Sequence, residues 1–137
     1  MTNALFLCTG NSARSILAEV IVNQVLHHPH LTAYSAGSTP NGAVNPGAIA
    51  ELERRGLSLA GLASQSWDDF TGPEAVEIDW VITLCDNAAS ETCPVFPGTC
   101  AKEHWGLPDP ATGAATFADT FHALDKRIAK FIARELV

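Results

Sequence analysis

Residues 4–15, Ala4-Leu5-Phe6-Leu7-Cys8-Thr9-Gly10-Asn11-Ser12-Ala13-Arg14-Ser15, pass from an unbroken apolar run through a glycine-containing turn into a segment with helical spacing. Four apolar residues that stop at a turn read as a short buried strand. Ile16 to Leu26 then places Ile16 and Val20, with Leu17, Ile21 and Val25, on a helical period, so the strand delivers the chain to a helix N-terminus. Cys8 and Arg14 stand six positions apart across the connecting loop. A loop of that length can turn its backbone N–H groups toward a tetrahedral oxyanion. The helix N-terminus adds positive potential, and the guanidinium offers a planar pair of donors. The same field favours the Cys8 thiolate, the form that attacks, so one loop would bind an anion and activate a nucleophile. Thr9, Gly10, Asn11, Ser12, Ala13, Arg14 and Ser15 are the candidate oxyanion-binding residues. Asn11 tolerates positive φ, and Ser15 can steady the thiolate or a leaving group by hydrogen bonding. For a bare Cys-x5-Arg pair, a core thiol and a solvated arginine would be the simpler account. The strand before the pair, Gly10 within it and Ser15 after it favour the reactive one.

Outward from this loop the chain alternates strands and helices. Leu31 to Ser35 reads as a second strand, and Asn45 as N-cap, Pro46 at the first helical position and Gly56 after Arg55 bracket a second helix. Trp80 to Leu84 is a buried-type strand that ends directly at Cys85, with a short helix expected near Ala88 to Glu91. Ala101 to Trp105 is a weaker strand, and Phe117, Phe121, Leu124, Ile128, Phe131 and Ile132 mark one face of a C-terminal helix. This order predicts an α/β fold: a single domain over residues 1–137 with a doubly wound, parallel, four-stranded sheet and helices on both faces. Ligands bind such sheets outside the carboxyl ends of the strands. Cys8, Cys85 and the Asp109 segment each follow a proposed strand and therefore share that edge. Pro108 and Pro110 stiffen the loop around Asp109 and aim its carboxyl, although a turn aspartate between prolines would also account for the pattern.

The bulk numbers exclude several classes. A net charge of −7 with no Lys/Arg-rich run argues against nucleic acid and anionic membrane partners. The first residues lack a basic segment ahead of an apolar one, and no apolar run reaches the length of a membrane span, so a cytoplasmic address is expected. There Cys8, Cys85, Cys93 and Cys100 would be kept reduced unless chemistry uses them. A zinc site from Cys85, Cys93, Cys100 and His104 lacks the close Cys pair of structural zinc sites, and no metal is assigned on that basis. His27, His28 and His30 fall between a helix end and a strand and read as solvated loop residues.

Four blocks carry a resemblance: LFLCTGNSARS at 5–15, YSAGS at 34–38, TLCDNAASETCP at 83–94 and HWGLPDPA at 104–111. In this order they resemble the low-molecular-weight tyrosine phosphatases and, within that fold, the arsenate reductases that use an internal cysteine relay. The resemblance implies that Cys8 attacks the oxyanion, that Arg14 and the loop hold it, and that Asp109 protonates the departing oxygen. It further implies that Cys85 attacks the Cys8 sulfur and expels arsenite. Cys93 then leaves a Cys85–Cys93 disulfide, with Ala88 to Glu91 unwinding to allow it. Cys100 matches no relay position and is expected to be structural or incidental. The implied partners are arsenate, with phosphate or sulfate as mimics, and an external thiol reductant, either thioredoxin or glutathione with glutaredoxin. No tightly bound cofactor is implied, although relatives place a monovalent cation, K+, near positions matching Asn11, Glu19 and Ser35. A monomer is expected.

Water in place of the second thiol would make the same loop a phosphomonoesterase acting through a Cys8 phosphoenzyme. A third possibility is a module that only binds phosphate or arsenic. Ala13 where many of the phosphatases carry a second loop cysteine, Ala111 where they carry tyrosine, and Tyr34 as the sole tyrosine favour the reductase.

Overall fold

The structure is a computed structural model that describes residues 2–85, 100–108, 110 and 116–136. Four strands, β1 (Thr2–Leu7), β2 (Leu31–Ala36), β3 (Trp80–Thr83) and β4 (Ala101–His104), form one sheet in the order β2-β1-β3-β4. Every pairing is parallel, with Leu7 opposite Ala36 on one side and Thr83 on the other. The chain leaves β1 toward β2, then crosses back to put β3 on the opposite side of β1. The strand order therefore reverses between β1 and β3, and the crevice at their carboxyl ends is where such a sheet accepts ligands.

The alternation of the strands sorts the core. Ala4 and Phe6 of β1 join Leu31 and Ala33 of β2 and Ile82 of β3 on the face covered by the helices, while Leu5, Leu7, Ala36 and Val81 face the other way. All of these are fully or almost fully buried, each large aliphatic or aromatic side chain contributing about 1.5–3 kcal/mol. Helices α1 (Arg14–Val20), α2 (Pro46–Arg54) and α3 (Phe117–Glu135) pack on the Phe6 face. On the Leu5 face the cover among the described residues is the 3-10 turn Trp67–Phe70 and the chain leading to Ile78.

Local chemistry explains the helix limits. Asn45 Oδ1 accepts from the Gly47 amide at 2.8 Å, Pro46 occupies the first helical position, and Gly56 stops α2 at φ 71°. There Leu57 N–H donates to Leu52 O and Gly56 N–H to Glu53 O, both at 3.0 Å, which satisfies two terminal carbonyls. Thr116 caps α3 through the Asp119 amide at 2.9 Å, and Phe121, Leu124, Ile128 and Phe131 form its buried stripe. Helix α1 departs from the sequence reading in its second half, because the chain widens at Ile21–Leu26 into a π-helical turn closed by His27 N–H to Val22 O at 3.0 Å. His27 then ends the helix with φ 46°. The widened turn carries Asn23, whose side chain accepts from Ala33 N–H at 2.9 Å and donates to Ala33 O at 3.0 Å. Ala33 lies on β2 at the sheet margin, so one amide side chain satisfies the backbone groups it turns away from β1. The helix expected at Ala88–Glu91 lies outside the described residues.

Candidate active site

Cys8 is the first residue past β1, and Cys85 lies two residues past β3. Because Leu7 and Thr83 are in register, both cysteines leave neighbouring strands at the same level. Their side chains pack against each other, each 7% exposed, and both line one cleft of about 380 Å³. Thr9 reaches across with its hydroxyl 3.7 Å from Cys85 Sγ, a hydrogen bond that ties the second thiol to the loop bearing the first.

The loop is held by bonds to its carbonyls. Thr39 N–H donates to Thr9 O at 3.0 Å, Asn41 N–H to Gly10 O at 2.9 Å, and Asn45 N–H to Ser12 O at 2.8 Å. The Ser64 hydroxyl adds a second bond to Gly10 O at 3.1 Å. A planar trans peptide directs the next N–H opposite to its carbonyl. Drawing the Thr9 and Ser12 carbonyls outward onto the strap 37–45 therefore turns the Gly10 and Ala13 amides toward the cleft that both residues line. Gly37 lets the strap approach: a Cβ there would meet Thr9 O at 2.4 Å and Cys8 O at 2.5 Å. Asn11 makes the sharp bend at φ 43°, with its own N–H on Cys8 O at 3.1 Å.

Of the seven residues expected around an oxyanion, Thr9, Gly10, Ser12, Ala13 and Arg14 line the cleft. Asn11 and Ser15 are fully buried behind it. Asn11 Nδ2 donates to Ser15 Oγ at 2.8 Å, and Asn11 Oδ1 accepts from Gln65 N–H at 2.7 Å. As an acceptor, Ser15 keeps its own hydroxyl hydrogen to donate. Arg14 donates through Nη1 to Leu107 O at 2.8 Å, which links the anion loop to the chain leading to position 109. Asp109 and Cys93 lie outside the described residues.

Behind the loop, Ser35 Oγ donates to Glu19 Oε1 at 2.6 Å, and burial pushes the Glu19 carboxyl above its ordinary range against the lowering effect of that bond. These two residues offer a cation a carboxylate and a hydroxyl oxygen. Asn11 Oδ1 accepts one bond from Gln65 N–H and, with two lone pairs, retains a second acceptor position. Among the described residues no group of three or more His, Cys, Asp or Glu could hold a metal ion, and no helix is long and apolar enough to cross a membrane. Cys100 packs half-buried against the Leu5 face of the sheet, away from the cleft lining. His104 Nδ1 lies 2.8 Å from the Thr83 hydroxyl, while beyond the π-helical turn His30 is exposed and His28 half-buried. The strap residues Thr39, Asn41 and Asn45, which also line the cleft, were not singled out as site residues. Their only local sign is the turn-rich run Ser38-Thr39-Pro40-Asn41-Gly42.

Comparison with known proteins agrees with this geometry. The low molecular weight phosphotyrosine protein phosphatase family matches residues 3–136. An arsenate reductase of Bacillus licheniformis is 38% identical over 112 residues, covering 81% of this chain and 76% of its own length. Arsenate reductase 2 of Staphylococcus saprophyticus is 40% identical over 106 residues, covering 77% of this chain and 76% of its own length. A solved arsenate reductase in the phosphate binding state superposes with a TM-score of 0.75 at 28% identity, covering 98% of each chain. The chain belongs to the low molecular weight phosphotyrosine protein phosphatase family and stands among its arsenate reductase relatives.

Proposed function

We propose that this chain reduces arsenate to arsenite, and the observation that carries the reading is the second thiol, Cys85, packed against Cys8 in the anion cleft. Arsenate would sit in the ring of loop amides with Arg14 on its oxygens. The Cys8 thiolate forms an S–As bond as one oxygen departs as water, its proton supplied by Asp109. The Cys85 thiolate then attacks Cys8 Sγ. The S–As bonding pair returns to arsenic, which leaves as arsenite, and a Cys8–Cys85 disulfide remains. Attack by the Cys93 thiolate on Cys85 releases Cys8 and leaves Cys85–Cys93 oxidised. An external thiol reductant, thioredoxin with its two thiols or two molecules of glutathione with glutaredoxin, returns the two electrons. Thr9 supports the middle step, since its hydroxyl can donate to the Cys85 thiolate and hold it beside its target. A potassium ion near Asn11, Glu19 and Ser35 would supply positive charge behind the loop and offset a buried carboxylate.

Hydrolysis of aryl phosphates is the reading that family membership alone would favour. The described lining of the cleft carries no aromatic side chain to hold a phenol ring. The test is mass spectrometry of the reduced protein after a single arsenate turnover. Wild type should lose two hydrogens between Cys85 and Cys93, Cys93→Ser should stop at Cys8–Cys85, and Cys85→Ser should release no arsenite. Full multiple turnover by Cys85→Ser would overturn the relay. Fast aryl phosphate hydrolysis without arsenate reduction would establish the phosphatase instead.

A further inference from the structure

The strap does more than brace the loop, because three of its residues, Thr39, Asn41 and Asn45, line the cleft that Cys8 and Cys85 also line. Thr39 and Asn41 are exposed and stand at the mouth, while Asn45 is half-buried deeper along the wall. Asn41 is laid over Gly10: its N–H is fixed on Gly10 O, a Cβ at Gly10 would lie 3.0–3.2 Å from its side-chain amide, and Nδ2 donates to Ser12 Oγ at 3.2 Å. Asn45 has its Oδ1 committed to the Gly47 amide as the α2 cap. An amide capping through oxygen keeps its NH2 donors for something else. Among the described residues the strap thus brings a hydroxyl and two carboxamides to the cleft.

A tetrahedral oxyanion has four oxygens, and a ring of amides with one guanidinium engages those nearest the nucleophile. What distinguishes an inorganic anion from an ester is the outermost oxygen, a hydroxyl or charged oxygen in one and a link to carbon in the other. Carboxamides and a hydroxyl satisfy the first. An organic group pressed against them would strip them of water without replacement, at a cost of about 1–3 kcal/mol for each group left unsatisfied. We propose that Asn41, with Thr39 beside it, is the specificity-determining residue that selects a free inorganic oxyanion over a phosphate or arsenate ester. The assignment rests on reading the Cys8 loop as an oxyanion site, and it concerns binding at the mouth rather than the sulfur chemistry.

The experiment is calorimetric titration of the reduced wild-type protein and Asn41→Ala with inorganic phosphate and, separately, with phenyl phosphate. Alanine keeps the backbone bond to Gly10 O, so a loss confined to the side chain is what is read. Phosphate affinity should fall about tenfold while phenyl phosphate affinity holds or rises, because the amide that the ester strips of water is gone, and Asn41→Asp should weaken phosphate further by repelling it. Equal weakening of both ligands would reduce Asn41 to a structural brace and overturn the proposal, as would no change in either. Asn41→Gln, which retains the amide, should recover part of the phosphate preference. Arsenate turnover is measured in parallel. A wild type that binds phosphate selectively but reduces no arsenate would refute the reductase reading, while the two-ligand ratio still decides the role of Asn41.

Discussion

Helix α1 is bounded by two residues with the same unusual backbone, Asn11 at its start with φ 43° and His27 past its end with φ 46°. They are the non-glycine residues of positive φ among those described. Asn11 is fully buried, and every polar arm is used: N–H on Cys8 O, Nδ2 on Ser15, Oδ1 on Gln65. His27 is a surface residue whose ring Nδ1 lies 3.0 Å from Asn23 O, one turn back on its own helix. A left-handed conformation costs a non-glycine residue about 1–2 kcal/mol at either end. At Asn11 one partner 54 positions away, Gln65, joins the neighbours Cys8 and Ser15 in holding that conformation, and it shapes the loop that follows Cys8. At His27 only neighbours do, and it merely stops a helix. Strain that is anchored from afar is therefore the kind that marks a working site in this fold.

Gly37→Ala attacks the anchored end from outside and carries the largest expected effect. Its methyl would overlap the Thr9 and Cys8 carbonyls, which are backbone and cannot swing aside, so the loop must shift. Displacing a catalytic loop by about 1 Å costs on the order of 100-fold, and arsenate turnover should fall at least that far. A variant with more than half of wild-type turnover would show the loop to be compliant. Next come two substitutions of Asn11. Asn11→Gly keeps the bend but strands the Gln65 amide and Ser15, each unsatisfied group costing about 1–3 kcal/mol. Asn11→Ala adds about 1–2 kcal/mol of backbone strain. Urea unfolding should rank wild type above glycine above alanine. Equal stability of the two variants would mean that the conformation itself is not strained.

A smaller effect separates the charge behind the loop from its shape. Burial raises the Glu19 pKa, so the folded state holds that proton more tightly than the unfolded chain, and ionising Glu19 lowers stability as pH rises through and above the ordinary value of 4.5. Glu19→Gln should therefore gain stability over wild type from mildly acidic pH upward and lose that advantage toward pH 4, as read by thermal unfolding across pH. Added KCl should narrow the gap at neutral pH if the carboxylate accepts K+. A difference independent of pH would exclude titration of Glu19 as its source. The smallest effect belongs to the unanchored end: His27→Gly removes left-handed strain at the cost of one surface bond and should stabilise by up to about 1 kcal/mol. The same exchange to glycine is thus expected to change sign between the two ends of one helix. Destabilisation at both would erase the distinction.

The legible features were those written over short spans. The strand ending at Leu7, just before Cys8, the cap and stop of α2 at Asn45, Pro46 and Gly56, and the tolerance of Asn11 for positive φ all depend on neighbours in the chain, and the structure has them. The parallel four-stranded α/β sheet followed from the alternation of strands and helices, whereas the order of its strands came from the structure. What escaped detection depends on residues far apart. Gln65 meets Asn11 across 54 positions and Asn41 meets Ser12 across 29, and no local period encodes either meeting. The π-helical widening was hidden for a related reason: Ile21, Val22 and Val25 satisfy the ordinary helical period equally well, and the register of Asn23 against Ala33 is visible only once β2 is in place.

That pairing of Asn23 with Ala33 reaches beyond the helix that carries it. A parallel sheet whose outermost strand offers unmet amides invites accretion of further chains, and here the invitation is withdrawn midway along that strand by a carboxamide already in the position a newcomer's peptide group would take. The protein thereby carries its own terminator for strand addition, placed on the opposite side of β1 from the strand that leads to Cys85.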